Sequence, residues 1–452
     1  MSKQDAAATL RQHLGDGKVR TAGPGYDAAR RIWNGAVDHR PAVVVRAETA
    51  ADVQAAVRAA RESGLALSVR SGGHGWEGRA VRDGGLVVDM TGMAPGDRPT
   101  RRRIATAGGG ATSADVADRA ATYGLVPVTG TAGAVGIAGL TLGGGYGPVG
   151  GRFGLAADNL AGAEVVLADG RLVYTDPQHE PELFWALRGG GGNFGVVTAL
   201  RLRLHRLERL LAGFVVFPWT QAADVFGRLD DVLAAAPDEL TVQSGVLSAP
   251  DGSPAVFLSP TWSGDLADGE KAVDGVQRLG TPLVSDVGPV SYPDMLGFFD
   301  AYIVPGSHYD VRTRSLPGFG PDAVTALLAA GESRTSPLSG IVVHHFHGAA
   351  ARVAQDATAF WLRREHVTVE IVAAWAPDDA GSRHRDWTDA ASAALAGSAF
   401  PGAYPNMVGS AARDQVERSY GGNTARLLAA KHRFDPDGVF AATPLPTGRR
   451  LA

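Results

Sequence analysis

The stretch Val69-Arg70-Ser71-Gly72-Gly73-His74-Gly75-Trp76-Glu77-Gly78 is the part of this chain from which its fold and chemistry are best inferred. It follows an apolar alternation over residues 65–69 that predicts a β-strand. The chain then turns through two glycines onto a histidine. Glycine turns let consecutive backbone N–H groups approach an anion closely, and such concave backbone sites bind phosphates. The stretch is therefore a candidate phosphate site ending in an imidazole; the alternative is a glycine turn with an incidental surface histidine.

The composition describes a soluble globular protein. The chain has 452 residues, enough for two or three domains, with 45% hydrophobic and 20% charged residues. A net charge of −4 gives no indication of a nucleic acid or an anionic membrane as partner. No apolar run approaches the ~20 residues that span a bilayer, and the N-terminus lacks a signal-peptide core, which predicts a cytoplasmic location.

The chain contains no cysteine, which excludes disulfides, thiolate catalysis, zinc–thiolate sites and iron–sulfur clusters. His344, His345 and His347 lie on a predicted strand, where 345 and 347 share a face. A His-Phe-His strand can chelate a metal, but no clear set of carboxylates accompanies it. We therefore predict no metal site.

The order of predicted elements divides the chain into three parts. Short strands and helices, including a helix around 27–33, fill the chain up to a long alternating strand at 194–205. Strands at 212–218, 239–248, 254–262, 340–347 and 367–375 then alternate with helical stretches, which predicts an antiparallel sheet with helices on one side. The predicted class is α+β, with residues 1–205 as an N-terminal domain part, 206–404 as a second domain, and 405–452 returning to the first.

Two glycine clusters, 145–150 and 190–195, fit the G-x-G-x-x-G pattern of dinucleotide-binding folds. With 60 glycines in the chain, such matches arise by chance. Neither cluster lies between a predicted strand and a long helix, the context that the fingerprint requires. A Rossmann domain is therefore not predicted.

Further segments make the chain similar to a known family. After the opening stretch come, in a fixed order, 128–139, 142–147, 154–159, 164–170, 182–189, 192–198, 404–406, 420–423 and 434–440. In this order they resemble flavoproteins of the vanillyl-alcohol oxidase class and, within it, the berberine-bridge-enzyme-like oxidases. The resemblance spans nearly the whole chain and is weakest over 206–400. It implies a two-part FAD-binding domain of the PCMH type and a substrate domain whose antiparallel sheet, flanked by helices, covers the flavin ring.

The resemblance also implies how FAD is held. The family bonds a ring nitrogen of the histidine, here His74, to the flavin 8α-methyl group. Many relatives add a cysteine at flavin C6, but that position is Ala132, so FAD attached at His74 alone is expected, as in the 6-hydroxy-D-nicotine oxidase-like branch. Val135 falls where the family is thought to gate oxygen, and valine favours O2 as acceptor; a buried valine without that effect is the alternative. The implied cofactor-binding residues are Val69, Arg70, Ser71, Gly72, Gly73, His74, Gly75, Gly78, Thr129, Gly130, Ala132, Val135, Gly136, Gly139, Gly143, Gly144, Gly145, Asp158, Asn159, Gly195, Val197, Tyr404 and Asn406.

Three residues are candidates for substrate chemistry. By the resemblance, Tyr146 and Tyr404 lie at the flavin ring, where a phenol can orient a substrate or accept a proton; the alternative is packed aromatics with satisfied hydroxyls. Glu370 interrupts an apolar strand and is a candidate base, with an edge or solvent-facing glutamate as the alternative. Arg312 and Arg314 could bind an acidic substrate or form surface salt bridges.

The expected function is an FAD-dependent oxidase that transfers a hydride from a small secondary metabolite, an alcohol or an amine, to flavin N5 and passes the electrons to O2. Oxidative ring closure is a further option. The expected partners are the substrate and O2, without nucleic acid or membrane, and the expected state is a monomer or homodimer. One alternative is a carbohydrate oxidase, against which Ala132 argues because such relatives often attach the flavin twice. The other is a non-catalytic, flavin-containing drug-binding or resistance protein.

Overall fold

The N-terminal part of the chain forms two small sheets. The computed structural model describes residues 3–93, 96 and 98–448. The first sheet has the order β1-β2-β4-β3, with β4 parallel to both β2 and β3; the second, β5-β9-β7-β8, is antiparallel, and β6 pairs with β10. The strands are β1 (Val19–Arg20), β2 (Val43–Arg46), β3 (Leu67–Arg70), β4 (Leu86–Asp89), β5 (Ile104–Gly108), β6 (Leu125–Val126), β7 (Leu160–Val166), β8 (Leu172–Thr175), β9 (Val196–Arg203) and β10 (His205–Arg206).

Short helices cover these sheets. Helix α3 begins with a capping box, in which the side chains of Thr49 and Asp52 each accept from the other's backbone N–H. The helix predicted around 27–33 lies three residues earlier, because Pro24 begins it and Arg31 is already extended. The helices are α1 (Lys3–Leu14), α2 (Pro24–Arg30), α3 (Ala50–Ser63), α4 (Ser113–Ala121), α5 (Ile137–Leu142), α6 (Gly150–Phe153) and α7 (Pro181–Ala186), with 3-10 turns at Asp16–Lys18, Met90–Gly92 and Ala156–Asn159.

The second part is built on a seven-stranded antiparallel sheet of order β14-β11-β13-β12-β16-β17-β15. Sequence reasoning missed β14, whose Gly288 and Pro289 are poor strand formers and are tolerated because the strand lies at the sheet edge. Its strands are β11 (Leu210–Pro218), β12 (Leu240–Ser248), β13 (Pro254–Trp262), β14 (Val284–Val290), β15 (His308–Leu316), β16 (Gly340–Phe346) and β17 (His366–Trp375).

Four helices of this second part, Ala222–Ala234, Leu266–Gln277, Pro321–Glu332 and Ser382–Leu395, pack on one face of the sheet, and the C-terminal helices lie elsewhere. The helices are α8 (Ala222–Ala234), α9 (Leu266–Gln277), α10 (Tyr292–Met295), α11 (Pro321–Glu332), α12 (Gly348–Arg352), α13 (Ser382–Leu395), α14 (Arg413–Arg418) and α15 (Thr424–Phe434), with 3-10 turns at Trp219–Gln221, Asp300–Tyr302, Ala396–Ser398 and Gly421–Asn423. Helix α13, absent from the sequence prediction, contributes Trp387 to this core.

The buried cores follow the same division. One cluster contains only residues between 211 and 395, from the large sheet and its helices. A second cluster joins strands β7 and β9 to Leu427 and Phe434 of α15, and a third includes Phe440. The α+β class predicted from the sequence is confirmed; the limits 1–205, 206–404 and 405–452 stay predictions. In the described residues no helix is long and apolar enough to cross a membrane.

A buried ion pair connects the two parts. Arg363 precedes β17, and its side chain is fully buried. Its two terminal nitrogens lie 2.8 and 2.7 Å from the two carboxylate oxygens of Asp158, and it also donates to the Thr358 hydroxyl. Breaking a buried pair by removing one partner leaves an uncompensated charge. Asp158 is therefore a structural link between the N-terminal part and the large sheet.

We predict that Asp158→Ala lowers the free energy of unfolding by about 3–5 kcal/mol, because the Arg363 guanidinium would stay buried without its counter-ion. The measurement is the urea unfolding midpoint. The control is Glu182→Ala, which breaks the exposed pair with Arg426 and should cost less than about 1 kcal/mol. Equal losses in the two variants would contradict the structural role of the Asp158–Arg363 pair.

Candidate active site

A cavity of ≈ 460 Å³ lies between the glycine-rich segments and the large sheet. This volume is in the range of small-molecule and cofactor sites. One wall is formed by the loop after β3 and by backbone between 130 and 142 and between 191 and 197. The opposite wall comes from β12, β16 and β17 and from the loops at 299–303 and 337–340, with 404–407 and 440–443 at the ends.

Most residues singled out in the sequence meet at this cavity. They come from five separate parts of the chain, so their meeting is a property of the fold rather than of local sequence. The predicted residues that line it are Val69, Ser71, Gly72, Gly73, His74, Gly75, Gly130, Ala132, Val135, Gly136, Gly139, Tyr146, Gly195, Val197, Glu370, Tyr404 and Asn406.

The glycine wall fits a long cofactor. A Cβ on Gly72 would lie 2.3 Å from the backbone nitrogen of Gly136, and one on Gly136 would lie 2.4 Å from that of Gly72, so only glycine permits this backbone contact. At Gly75 and Gly139 an added Cβ would meet nothing within 4 Å, so these backbones face open space. The Ser71 hydroxyl is buried without a described partner. An unpartnered donor beside bare backbone suits the diphosphate of FAD.

His74 faces the cavity from this wall. Its imidazole stacks on the indole of Trp33, with ring centroids 5.6 Å apart and an interplanar angle of 11°. Burial lowers the pKa of His74 below its usual value. The ring is therefore neutral at neutral pH, with one nitrogen free to act as a nucleophile.

Tyr404 presents a hydroxyl whose own hydrogen is free. Its oxygen accepts from the backbone N–H of Gly145 at 3.0 Å and from Nδ2 of Asn406 at 2.9 Å. Asn406 Nδ2 also donates to the Leu140 carbonyl at 3.0 Å, which fixes the orientation of its amide. Among the described residues, nothing accepts the Tyr404 hydrogen. Burial raises the pKa of Tyr404 to about 12 although the two donors act in the opposite direction, so it is a phenol at neutral pH.

Tyr146 stacks on Tyr404 with ring centroids 4.3 Å apart, but its hydroxyl is already paired. Nδ1 of His366 lies 2.7 Å from the Arg364 carbonyl and so carries the ring hydrogen. Nε2 of His366 therefore accepts from the Tyr146 hydroxyl at 2.9 Å. Burial lowers the pKa of His366 to about 4, which keeps it a neutral acceptor. Tyr146 thus lines the cavity with its hydroxyl hydrogen turned toward a buried histidine.

Glu370 and His344 form a titratable pair on the cavity wall. They extend from neighbouring strands, and Nε2 of His344 lies 3.3 Å from Oε1 of Glu370. Strand β17 is interior, and Glu370 is 9% exposed, so the edge or solvent-facing alternative is wrong. The pair is able to orient a bound ligand and to accept a proton from that ligand.

Several predicted cofactor residues do not line the cavity. Arg70 pairs with Asp89 at 3.1 Å behind the wall. The Thr129 hydroxyl lies 2.9 Å from that of Tyr292. Gly78 (φ +75°) is in a turn where a Cβ would strike Val37.

The residues around 143–159 also lie behind the site. Gly143 and Gly144 have no room for a Cβ because the side chains of Asn406 and Phe360 pack against them, and Gly145 acts through its N–H on Tyr404. Asp158 forms the ion pair with Arg363. Asn159 donates to two carbonyls and lies 2.7 Å from His205. Their role is to support the wall, because their polar groups are used in contacts within the chain.

The remaining charged candidates do not line the cavity. Arg312 pairs with Asp310 and Asp389, which confirms the salt-bridge alternative, and Arg314 donates to Ser392. His345 and His347 stack with ring centroids 3.8 Å apart. In the described part of the chain, no three His, Asp or Glu side chains are grouped closely enough to hold a metal.

The structure adds wall residues that the sequence did not indicate. Trp33 precedes the first predicted motif, and Gln243 lies on β12. Arg79 pairs with Glu77 and donates to the Val408 carbonyl at 2.8 Å, where burial lowers its pKa. Residues 441–443 close one end. None belongs to a periodic pattern or a glycine motif, and only the charged Glu77-Gly78-Arg79 pair at the end of the opening stretch could have indicated a further binding group.

The matches with known families fall on the two segments that form the glycine wall and the C-terminal end. A family described as an FAD binding domain matches residues 41–176. A family described as berberine and berberine-like matches residues 403–444, which include Tyr404 and Asn406.

Individual relatives are named as oxidases and oxidoreductases. The (R)-6-hydroxynicotine oxidase of Paenarthrobacter nicotinovorans is 37% identical over 275 residues, an alignment that covers 60% of each chain. The FAD-linked oxidoreductase aurO of Gibberella zeae is 30% identical over 445 residues, 96% of this chain and 86% of that protein.

The fold agrees with these matches over the whole chain. The crystal structure of 6-hydroxy-D-nicotine oxidase from Arthrobacter nicotinovorans superimposes with a TM-score of 0.85 at 29% identity and covers 96% of this chain and 98% of that one. With its glycine-walled cavity and its matching C-terminal segment, this chain belongs to the berberine and berberine-like family of FAD-linked oxidoreductases.

Proposed function

We propose that this protein is an oxidase that removes a hydride from an alcohol or amine carbon of a small, largely apolar metabolite and passes the electrons through FAD to O2, releasing H2O2. The carrying observation is that one cavity joins the glycine wall to the Tyr404 hydroxyl and the Glu370–His344 pair. In this proposal Tyr404 donates to the reacting oxygen or nitrogen of the substrate. Glu370, paired with His344, takes the proton from the same group.

The lining of the substrate half supports an apolar ligand. Its wall includes the aliphatic and aromatic side chains of Val246, Phe257, Phe299, Val342 and Val372, with few charged groups among the described residues. Such a surface favours a ring or hydrocarbon body. An oligosaccharide would need many more polar partners, so this lining, like Ala132, disfavours the carbohydrate oxidase alternative.

We further propose that FAD is attached at His74 alone and that Val135, on the same wall, leaves O2 access to the flavin. His74 and Ala132 both line the cavity. The chain has no cysteine that could provide a second bond. In this proposal the neutral imidazole of His74 supplies the nucleophile for the single bond to the flavin.

We predict that wild-type protein keeps its flavin after acid precipitation and that His74→Ala releases it. The reason is that the imidazole nitrogen is the only attachment we propose. In-gel flavin fluorescence and the absorbance of the supernatant measure the two fractions.

His432→Ala is the matched control, since His432 is exposed on α15, and it should behave as wild type. Free flavin in the wild-type supernatant would rule out attachment at His74 without affecting the oxidase proposal.

We predict that Glu370→Gln slows reduction of the flavin by about 10²- to 10⁴-fold, the usual contribution of a positioned proton acceptor. The holoprotein is first mixed anaerobically with a panel of apolar alcohols and amines, including (R)-6-hydroxynicotine, and bleaching of the flavin absorbance identifies a substrate. Stopped-flow mixing with that substrate then measures the variant.

Glu365→Gln, at an exposed carboxylate directly before β17, should leave the rate of flavin reduction unchanged. Reoxidation of the reduced Glu370→Gln variant by O2 should also be unchanged, because the carboxylate acts on the substrate. If ligands bind and none ever reduces the flavin, the protein is a flavin-containing binding protein and the oxidase proposal fails.

A further inference from the structure

The imidazole of His74 is held by ring contacts alone. No hydrogen bond to it is made by the described residues, and its neighbour is the indole of Trp33. Trp33 in turn stacks on Tyr309 of β15, with ring centroids 4.0 Å apart and an interplanar angle of 25°. Three rings therefore lie in layers from the large sheet to the cavity, and all three line it.

The backbone fixes the middle ring of this stack. The N–H of Trp33 donates to the carbonyl of Gly73, directly before His74, at 3.2 Å. The carbonyl of Trp33 accepts from the N–H of Gly306 at 3.1 Å. The indole is thus tied both to the loop that carries His74 and to the loop that leads into β15.

The next residue, Asn34, strengthens the same connection. Its side chain is buried, and Nδ2 donates to the carbonyls of Trp76 at 2.7 Å and Tyr309 at 2.9 Å. Its Oδ1 accepts from the N–H of Tyr309 at 2.9 Å. Because Gly73 and Trp76 flank His74, residues 33 and 34 hold both sides of the histidine loop against β15.

We propose that Trp33, supported from behind by Tyr309, is a positioning residue that fixes the plane of the His74 ring for covalent attachment of the flavin. This inference rests on the proposed attachment at His74. Bond formation requires the nitrogen lone pair to point at the flavin 8α carbon, and small misplacements of a reacting group greatly slow such steps. A ring without a hydrogen bond can rotate about its side-chain bonds; stacking on a fixed indole removes that freedom.

The step itself balances with species already named. A bond forms between a His74 nitrogen and the 8α carbon, while one C–H bond of the 8α-methyl group and the imidazole N–H bond break. Two protons and two electrons leave these groups. The flavin ring accepts the electrons, and O2 takes them from there with two protons as H2O2. Desolvation favours this chemistry because it lowers the pKa of His74 and keeps the ring neutral.

The test compares Trp33→Leu with Trp33→Phe. The wild type and both variants are expressed under riboflavin limitation so that they carry little covalent flavin, and are then incubated with FAD in air and precipitated with acid at intervals. We expect Trp33→Leu to attach flavin about 10- to 100-fold more slowly than wild type while still binding FAD non-covalently. Trp33→Phe, which keeps a flat ring, should restore most of the attachment rate. Non-covalent binding, measured by quenching of FAD fluorescence, separates this role from simple loss of the fold.

Every other outcome overturns the inference. Attachment by Trp33→Leu at the wild-type rate would show that the stack is not needed. Loss of FAD binding altogether, or failure of Trp33→Phe to restore attachment, would show a structural role. The readout does not depend on substrate turnover. A wild type with only dissociable FAD would overturn the positioning role and leave the oxidase proposal standing. If attachment slows in Trp33→Leu as expected but no ligand ever reduces the flavin, the positioning role stands and the oxidase proposal fails.

Discussion

The direct contact between the backbones of Gly72 and Gly136 is the constraint on which the cofactor wall depends. Each lacks room for a Cβ by more than an ångström relative to ordinary contacts. The contact places the loop that carries His74 against the turn that carries Ala132 and Val135. Helix α4 holds that turn from behind, because the N–H groups of its first residues donate to the carbonyls of Gly133 and Val135 at 2.9 and 2.8 Å. One wall thus has bare backbone for an anion and small side chains beside the predicted position of the flavin ring.

The rest of the cavity lining is made by side chains, and its chemistry is determined by which groups donate hydrogen bonds and which accept them. Two N–H donors use the lone pairs of Tyr404 and leave its hydrogen for a ligand. A single histidine accepts the hydrogen of the neighbouring Tyr146. Two stacked phenols of the same residue type therefore differ in what they can offer. Placement likewise makes Glu370 available to a ligand, because an interior strand directs its carboxylate into the cavity beside His344.

The sequence predicts the glycine wall well and the other features only in part. Glycines that allow backbone contacts leave a local signature, so the opening stretch and the segment around Gly136 could be recognised without a structure. Trp33 could not, because its partners His74 and Tyr309 lie far along the chain. Asp158 was misassigned for the same reason: the resemblance of residues 154–159 to a family segment implied a cofactor contact, whereas its partner, Arg363, lies 205 residues away. Strand β14 escaped because its glycine and proline conflict with strand propensity, and edge placement overrides that conflict.

The span of chain that surrounds the cavity has a consequence for biosynthesis. Its lining begins at Trp33 and ends at Thr443, so the wall is completed only by residues near the far end of the described chain. A nascent polypeptide therefore exposes its glycine loops long before anything can close over a cofactor. A chain that stops before Phe440 would lack the residues that line one end of the cavity, and a cofactor held by the glycine loops would be open to water at that end.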